Sequence, residues 1–202
     1  MNENITAIVL AGGQGKRLGQ AKATLKLGDR TIIEDVVDEM ADIADEVIVV
    51  TSQSQNHLPH NLNAQVFTDI HPGKSALGGV YTGLMKSSNY YNLVVACDMP
   101  FLNLNLLKHM ILLTSGVDIV TIKLGRNVEP LHAVYSKGCI EHIEGMFEKD
   151  DLQVSHLLDA VKVRYINEDE LDEYDPRHLS FFNINNKTDL VRARKLKEAA
   201  AK

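Results

Sequence analysis

Short apolar runs alternate with amphipathic stretches along this chain, and that alternation limits the folds open to it more than any other feature. Ile5 to Leu10, Glu46 to Thr51, Ala64 to Thr68, Asn92 to Cys97 and Val117 to Ile122 are β-branched or apolar through their middles, as strands buried in a parallel sheet should be. Leu131 to Tyr135 and Val161 to Ile166 could add further strands, at least one of them antiparallel. Between these runs apolar residues recur at helical spacing over Thr31 to Ala44, Gly78 to Lys86, Asn103 to Thr114, Lys137 to Glu148 and Lys187 to Ala201. Such an order predicts an α/β domain around a mainly parallel sheet. Thr31 followed by Glu34 has the form of a capping box, and Asn103 stands where an N-cap would precede the apolar run from Leu104.

With 202 residues and no internal repeat or long linker, a single domain with one large core is expected. The net charge of -6 argues against a nucleic-acid surface, which needs a basic excess gathered on one face, so any phosphate-binding charge must be local. Cys97 and Cys139 form no CxxC pair, which excludes a zinc ribbon and disfavours a disulfide framework. Met1-Asn2-Glu3-Asn4 lacks the basic start of a signal peptide, and no apolar run approaches the roughly 18 residues of a membrane helix. The expectation is a soluble cytoplasmic protein with no membrane or nucleic-acid partner. The eight histidines form no H-x-E, H-E-x-x-H or compact His/Cys cluster, so a transition-metal site is not expected.

Three segments carry chemistry. The first follows the first strand: Leu10-Ala11-Gly12-Gly13-Gln14-Gly15-Lys16-Arg17-Leu18-Gly19, then Lys22. Its glycines let backbone N–H groups approach phosphate closely, and Lys16, Arg17 and Lys22 would oppose triphosphate charge. The spacing is neither a Walker P-loop nor an intact G-x-G-x-x-G, because Leu18 stands where the third glycine belongs. A loop that only turns the chain is the alternative. The second segment, Val94 to Phe101, delivers Asp98 at the carboxyl end of a strand, where ligands of open α/β sheets gather and a carboxylate can hold a hard cation beside phosphates. Capping of the next helix is the other role open to Asp98. The third, Asp69 to Val80, places a carboxylate before a glycine-rich bend into a helix, either to meet a nucleotide or only to turn the chain. Cys97 reads as a small core residue rather than a nucleophile, since no partner base is visible.

These residues resemble the molybdenum cofactor guanylyltransferase family of nucleotidyltransferases. The signature LAGG-x-x-x-R-[LM]-G plus lysine is met by Leu10 to Gly19 and Lys22, C-D-[MT]-P-[FY] by Cys97 to Phe101, and D-x-x-x-x-G-P-L-G-G by Asp69 to Gly79. P-L-h-A-v-Y resembles Pro130 to Tyr135, and F-x-N-[IV]-N-T-P-E-D-L resembles Phe182 to Leu190. Two departures stand out: Ser75-Ala76 replaces Gly-Pro, and Asn186-Lys187 replaces Thr-Pro.

The resemblance implies a single-domain, Rossmann-like, three-layer nucleotidyltransferase fold. It implies nucleotide contacts at Leu10, Ala11, Gly12, Gly13, Lys22, Asp69 and Asp98, catalysis by Lys22, Arg17 and Asp98, and Mg2+ on Asp98. The activity it implies is transfer of GMP from GTP to a molybdopterin-type acceptor, with molybdoenzymes or other cofactor-handling proteins as further partners. CTP with the same pterin, a sugar 1-phosphate acceptor, or a non-catalytic nucleotide-binding protein of the same fold are the alternatives. Asn183 and Asn185 either order a loop near the acceptor or satisfy backbone groups before the last helix.

Overall fold

The computed structural model describes residues 4–12, 22–52 and 58–200. Gly13, Lys16, Arg17 and the helix end expected at Ala201 therefore lie outside the described residues.

Strand β1 (Ile5–Leu10) is buried along its whole length and lies between β4 (Glu46–Thr51) and β6 (Tyr91–Ala96), both parallel to it. β5 (Gln65–Thr68) extends the sheet beyond β4, while β8 (Asn127–Ser136), β7 (Ile119–Leu124) and β9 (Val163–Ile166) extend it beyond β6. The order β5-β4-β1-β6-β8-β7-β9 contains one reversed strand, β8, antiparallel to both its neighbours, whereas β9 runs parallel to β7. A separate two-stranded ribbon, β2 (Lys26–Leu27) and β3 (Arg30–Thr31), precedes the first long helix.

Period-two alternation divides β1 between two cores. Ile5, Ala7 and Val9 face α1 (Ile32–Ala41), α3 (Leu104–Leu112) and α7 (Lys187–Ala200), while Ile8 and Leu10 face α2 (Ser75–Lys86), α4 (Cys139–Glu148) and α5 (Val154–Leu157). The result is the expected three-layer arrangement. Gly83 fixes how closely α2 lies on the sheet: a Cβ there would sit 2.5 Å from Ile8 Cγ2, so only glycine permits this approach. No helix among the described residues is long and apolar enough to cross a membrane.

The helix starts follow the local signals. Thr31 and Glu34 form the capping box, the Thr31 N–H donating to Glu34 Oε2 at 2.8 Å and the Glu34 N–H to Thr31 Oγ1 at 3.4 Å. Asn103 Oδ1 accepts from the N–H groups of Asn105 and Leu106, so the cap of α3 is this asparagine and Asp98 is not needed for it. α2 begins at Ser75, three residues before the expected Gly78. The acidic stretch after Asn167 forms a short helix, α6 (Glu168–Asp172), capped by the Asn167 side chain.

Candidate active site

β1 sits where the direction of strand succession reverses, β4 and β5 having been added on one side of it and β6 on the other. A crevice opens at such a point beyond the carboxyl ends of the strands. Here it is a cleft of about 590 Å³ whose floor comes from the strand ends, Leu10 and Ala11 after β1, Val50 and Thr51 of β4, and Ala96 to Asp98 after β6. Lys22 and Ala23 close one side, and Asp69 with Pro72, Gly73, Ser75 and Ala76 the other. The structure thus brings Leu10, Ala11, Gly12, Lys22, Asp69 and Asp98 into one cleft, whereas Gly13 and Arg17 lie outside the described residues.

Lys22 Nζ lies 2.6 Å from Asp98 Oδ2 and 2.6 Å from Asn185 Oδ1. The paired side chains of Lys22 and Asp98 are 22% and 16% exposed, so the pair is partly withdrawn from water while one face still opens to the cleft. The chain reaches this point from the carboxyl-terminal side through the Ile184 N–H, which donates to the Asp98 carbonyl at 3.0 Å. The two asparagines of that segment divide their work. Asn183 donates to the Phe181 carbonyl, a backbone role, and Asn185 meets the lysine. Asn186 then caps α7: its Oδ1 accepts from the Asp189 N–H, and Asp189 Oδ2 accepts from the Asn185 and Asn186 N–H groups. Asn186-Lys187 therefore keeps a capped helix start in place of Thr-Pro, with Lys187 at the first helical position.

Asp69 Oδ1 accepts from the His71 N–H at 2.8 Å and from the hydroxyl of the buried Thr82 at 3.0 Å, and Thr82 Oγ1 itself accepts from the Ile70 N–H. Sequence reasoning missed Thr82, because one turn of α2 had to be placed against Asp69 before its hydroxyl had any meaning. Gly78 allows the approach, since a Cβ there would fall 2.8 Å from the His71 carbonyl oxygen and 3.0 Å from Asp69 Oδ2. Ser75 and Ala76 of the first turn of α2 line the cleft, and no side chain caps that helix start, where the first N–H groups have no partner within the helix.

Cys97 is fully buried, and burial followed by the neighbouring Asp98 charge pushes its thiol up to about 12. At that value it carries negligible thiolate at neutral pH and offers no nucleophile. Both cysteines are free and buried. Among the described residues no group of three or more His, Cys, Asp and Glu side chains forms a ready metal cage. Asp98 fits magnesium in another way: one hard carboxylate at the cleft floor suits a cation that takes most of its remaining ligands from water and substrate phosphates.

Residues 7–164 match the model of the MobA-like NTP transferase domain. Over 193 residues the chain is 35% identical to a probable molybdenum cofactor guanylyltransferase of Pelotomaculum thermopropionicum, covering 96% of this chain and 93% of that one. It is 34% identical over 200 residues to a molybdenum cofactor guanylyltransferase of Desulfosudis oleivorans, with coverage of 98% and 96%. Among solved structures, the molybdopterin-guanine dinucleotide biosynthesis protein A of Archaeoglobus fulgidus superposes with a TM-score of 0.84 at 26% identity, covering 96% of this chain and 99% of that one. The described cleft, the strand order that makes it and these relationships agree, and the chain belongs to the MobA-like NTP transferase family.

Proposed function

We propose that this protein is a molybdenum cofactor guanylyltransferase that transfers GMP from GTP to the phosphate of molybdenum-molybdopterin, releasing pyrophosphate and forming the guanine dinucleotide cofactor. The observation that carries the reading is the convergence of Leu10 to Gly12, Lys22, Asp69 and Asp98 on one cleft, in a chain whose relatives bear that name. In this reading residues 1–202 work as one nucleotidyltransferase domain in the cytoplasm, a setting in keeping with two unpaired, buried thiols.

An oxygen of the acceptor phosphate attacks the α-phosphorus of GTP in line. A new P–O bond forms as the bond to the bridging oxygen between the α- and β-phosphorus breaks, and the electron pair leaves with pyrophosphate. No covalent protein intermediate is needed. The glycine-rich backbone after β1 and the open N-terminus of α2 supply N–H donors to the nucleotide, and Asp69 is fixed by Thr82 to face it. Lys22 opposes charge on the leaving pyrophosphate, and Arg17 is proposed to share in catalysis. Asp98 would hold Mg2+, which when bound neutralises phosphate charge and orients the reacting groups. Lys22 and Asp98 neutralise one another across 2.6 Å. In this reading Lys22 would pair with phosphate and Asp98 with the cation, so that each charge would keep an opposite partner.

The test is thermal unfolding with GTP, CTP, ATP and UTP, each with and without magnesium. A ligand present at about 100 times its Kd stabilises the folded state by about 2.7 kcal/mol. The expected result is the largest rise in Tm with GTP plus magnesium. Equal shifts with all four nucleotides would remove the guanine assignment, a larger shift with CTP would make this a cytidylyltransferase, and no shift at millimolar ligand would refute the nucleotide site.

A further inference from the structure

Pro72, Gly73, Ser75 and Ala76 line the cleft, and the turn that carries them is fastened on its outer side to the end of α4 and the connection that leads into α5. Ser75 has a φ of 54°, in the left-handed region that favours glycine. It stands at the hinge between the turn and α2, so this conformation determines where the first turn of the helix points.

A left-handed serine persists only where its surroundings hold it. Ser75 Oγ donates to the Leu152 carbonyl at 3.1 Å, and Lys74 Nζ pairs with Asp150 Oδ1 at 2.8 Å. Asp150 is left-handed as well, at φ 52°, so each side of this contact carries a non-glycine residue in a disfavoured conformation. Beneath the ion pair His71 packs between Tyr81 and Phe147, with ring centroids 5.0 and 4.9 Å away, and the Tyr81 hydroxyl donates to Glu144 at 2.7 Å. The fastenings all point one way, from the cleft-lining turn outward to α4 and its following loop.

We propose that Ser75, Lys74 and Asp150 are positioning residues, and that the connection after α4 sets the shape of the nucleotide-facing turn although its side chains lie outside the cleft. The inference rests on the cleft being the nucleotide site. Ser75 supplies through a tether the bend that a glycine would supply through its backbone freedom.

Ser75→Ala, Ser75→Gly and Asp150→Ala separate this from a packing role. Alanine loses the tether but keeps the disfavoured φ, whereas glycine loses the tether and adopts that φ freely. In a titration with a fluorescent ribose-modified GTP plus magnesium, Ser75→Ala should raise Kd by roughly threefold to tenfold, the range of one lost hydrogen bond. Ser75→Gly should recover at least half of that loss. Asp150→Ala should raise Kd and the KM for GTP together by about twofold, in line with an exposed ion pair, while kcat stays within twofold. Unchanged Kd in both Ser75→Ala and Asp150→Ala, or weaker binding by Ser75→Gly than by Ser75→Ala, would overturn the proposal. Hydrogen exchange of the residue 71–77 amides, measured without ligand, reads the same tether even if the wild-type protein binds no GTP. Exchange there should quicken in Ser75→Ala and Asp150→Ala, and unchanged exchange would overturn the proposal independently of the functional reading.

Discussion

Two titratable groups, the buried His132 and the partly buried Glu39, oppose one another across the neutral range, and removing either should expose the other. His132 lies on β8 opposite Val95, fully buried, and its ring nitrogens have no hydrogen-bond partner among the described residues. Burial lowers its pKa from 6.5 to about 4, with Asp175 acting in the other direction. Glu39, on α1 at the edge of a groove it shares with Asp35, Asp38, Asp42 and Lys197, is pushed from 4.5 to about 7 by burial first and by Asp35 and Asp42 after that, against Lys197. For His132 the folded pKa is depressed, so its contribution to stability is full above pH 6.5 and is lost as pH falls toward 4. For Glu39 the folded pKa is raised, so stability is full below pH 4.5 and is lost as pH rises through 7. Each displacement amounts to about 3 kcal/mol over its window, and because the windows nearly coincide with opposite sign the two largely cancel in the wild-type protein. Glu39→Gln should therefore match the wild type near pH 4.5 and exceed it by about 3 kcal/mol at pH 8. His132→Leu should gain over the wild type as pH falls from 7 to 4. Urea-unfolding midpoints at half-unit pH intervals and fixed ionic strength measure both differences, and subtracting the wild-type curve removes carboxylates common to all three proteins. A difference curve for either variant that stays flat from pH 4 to 8 would refute the assignment of that group.

In the folded Lys22→Ala variant, kcat/KM for pyrophosphate release should fall by about 2 to 4 kcal/mol in transition-state terms, the cost of one preorganised electrostatic donor. Wild-type turnover with an unchanged circular dichroism spectrum would reduce Lys22 to a surface charge. Asp98→Asn, which keeps the shape of the side chain and removes its charge, should lose most activity and shift the half-maximal magnesium concentration upward. Superimposable magnesium titrations for the two proteins would take Asp98 out of the metal site.

Much of the fold was legible because its long elements repeat their signals. Each of β1, β4, β6 and β7 has an apolar middle, and α1 and α3 announce themselves through Thr31, Glu34 and Asn103. The elements that were not foreseen are those too short to show a period. β2 and β3 have two residues each, and α5 has four, barely one turn of helix. β8 begins at Asn127 rather than Leu131, and it passes through Pro130, which reads as a strand breaker. The register with β7 shifts between Thr121 and Lys123, and that irregularity is where a residue without an N–H can be accommodated. The early start of α2 has a related cause, since nothing in the letters Ser-Ala reveals that Ser75 will be held at a positive φ by a carbonyl 77 residues away.

The candidate site divides along the same line, between what a residue is and what it meets. Glycines after a strand and an aspartate at a strand end are local facts, so Gly12 and Asp98 could be named from the sequence together with the side of the sheet on which they stand. Their partners are not local. Lys22 meets Asp98 across 76 residues and Asn185 across 163, and no spacing rule selects Asn185 over Asn183. What brings it there is a tertiary contact at Ile184, whose N–H is bound to the Asp98 carbonyl while the neighbouring asparagine side chains take different partners. The same geometry couples the carboxyl-terminal segment to the proposed exchange of partners. If Lys22 pairs with phosphate in place of Asp98, as proposed, its contact with Asn185 would be lost with the same movement, because one ammonium group makes both.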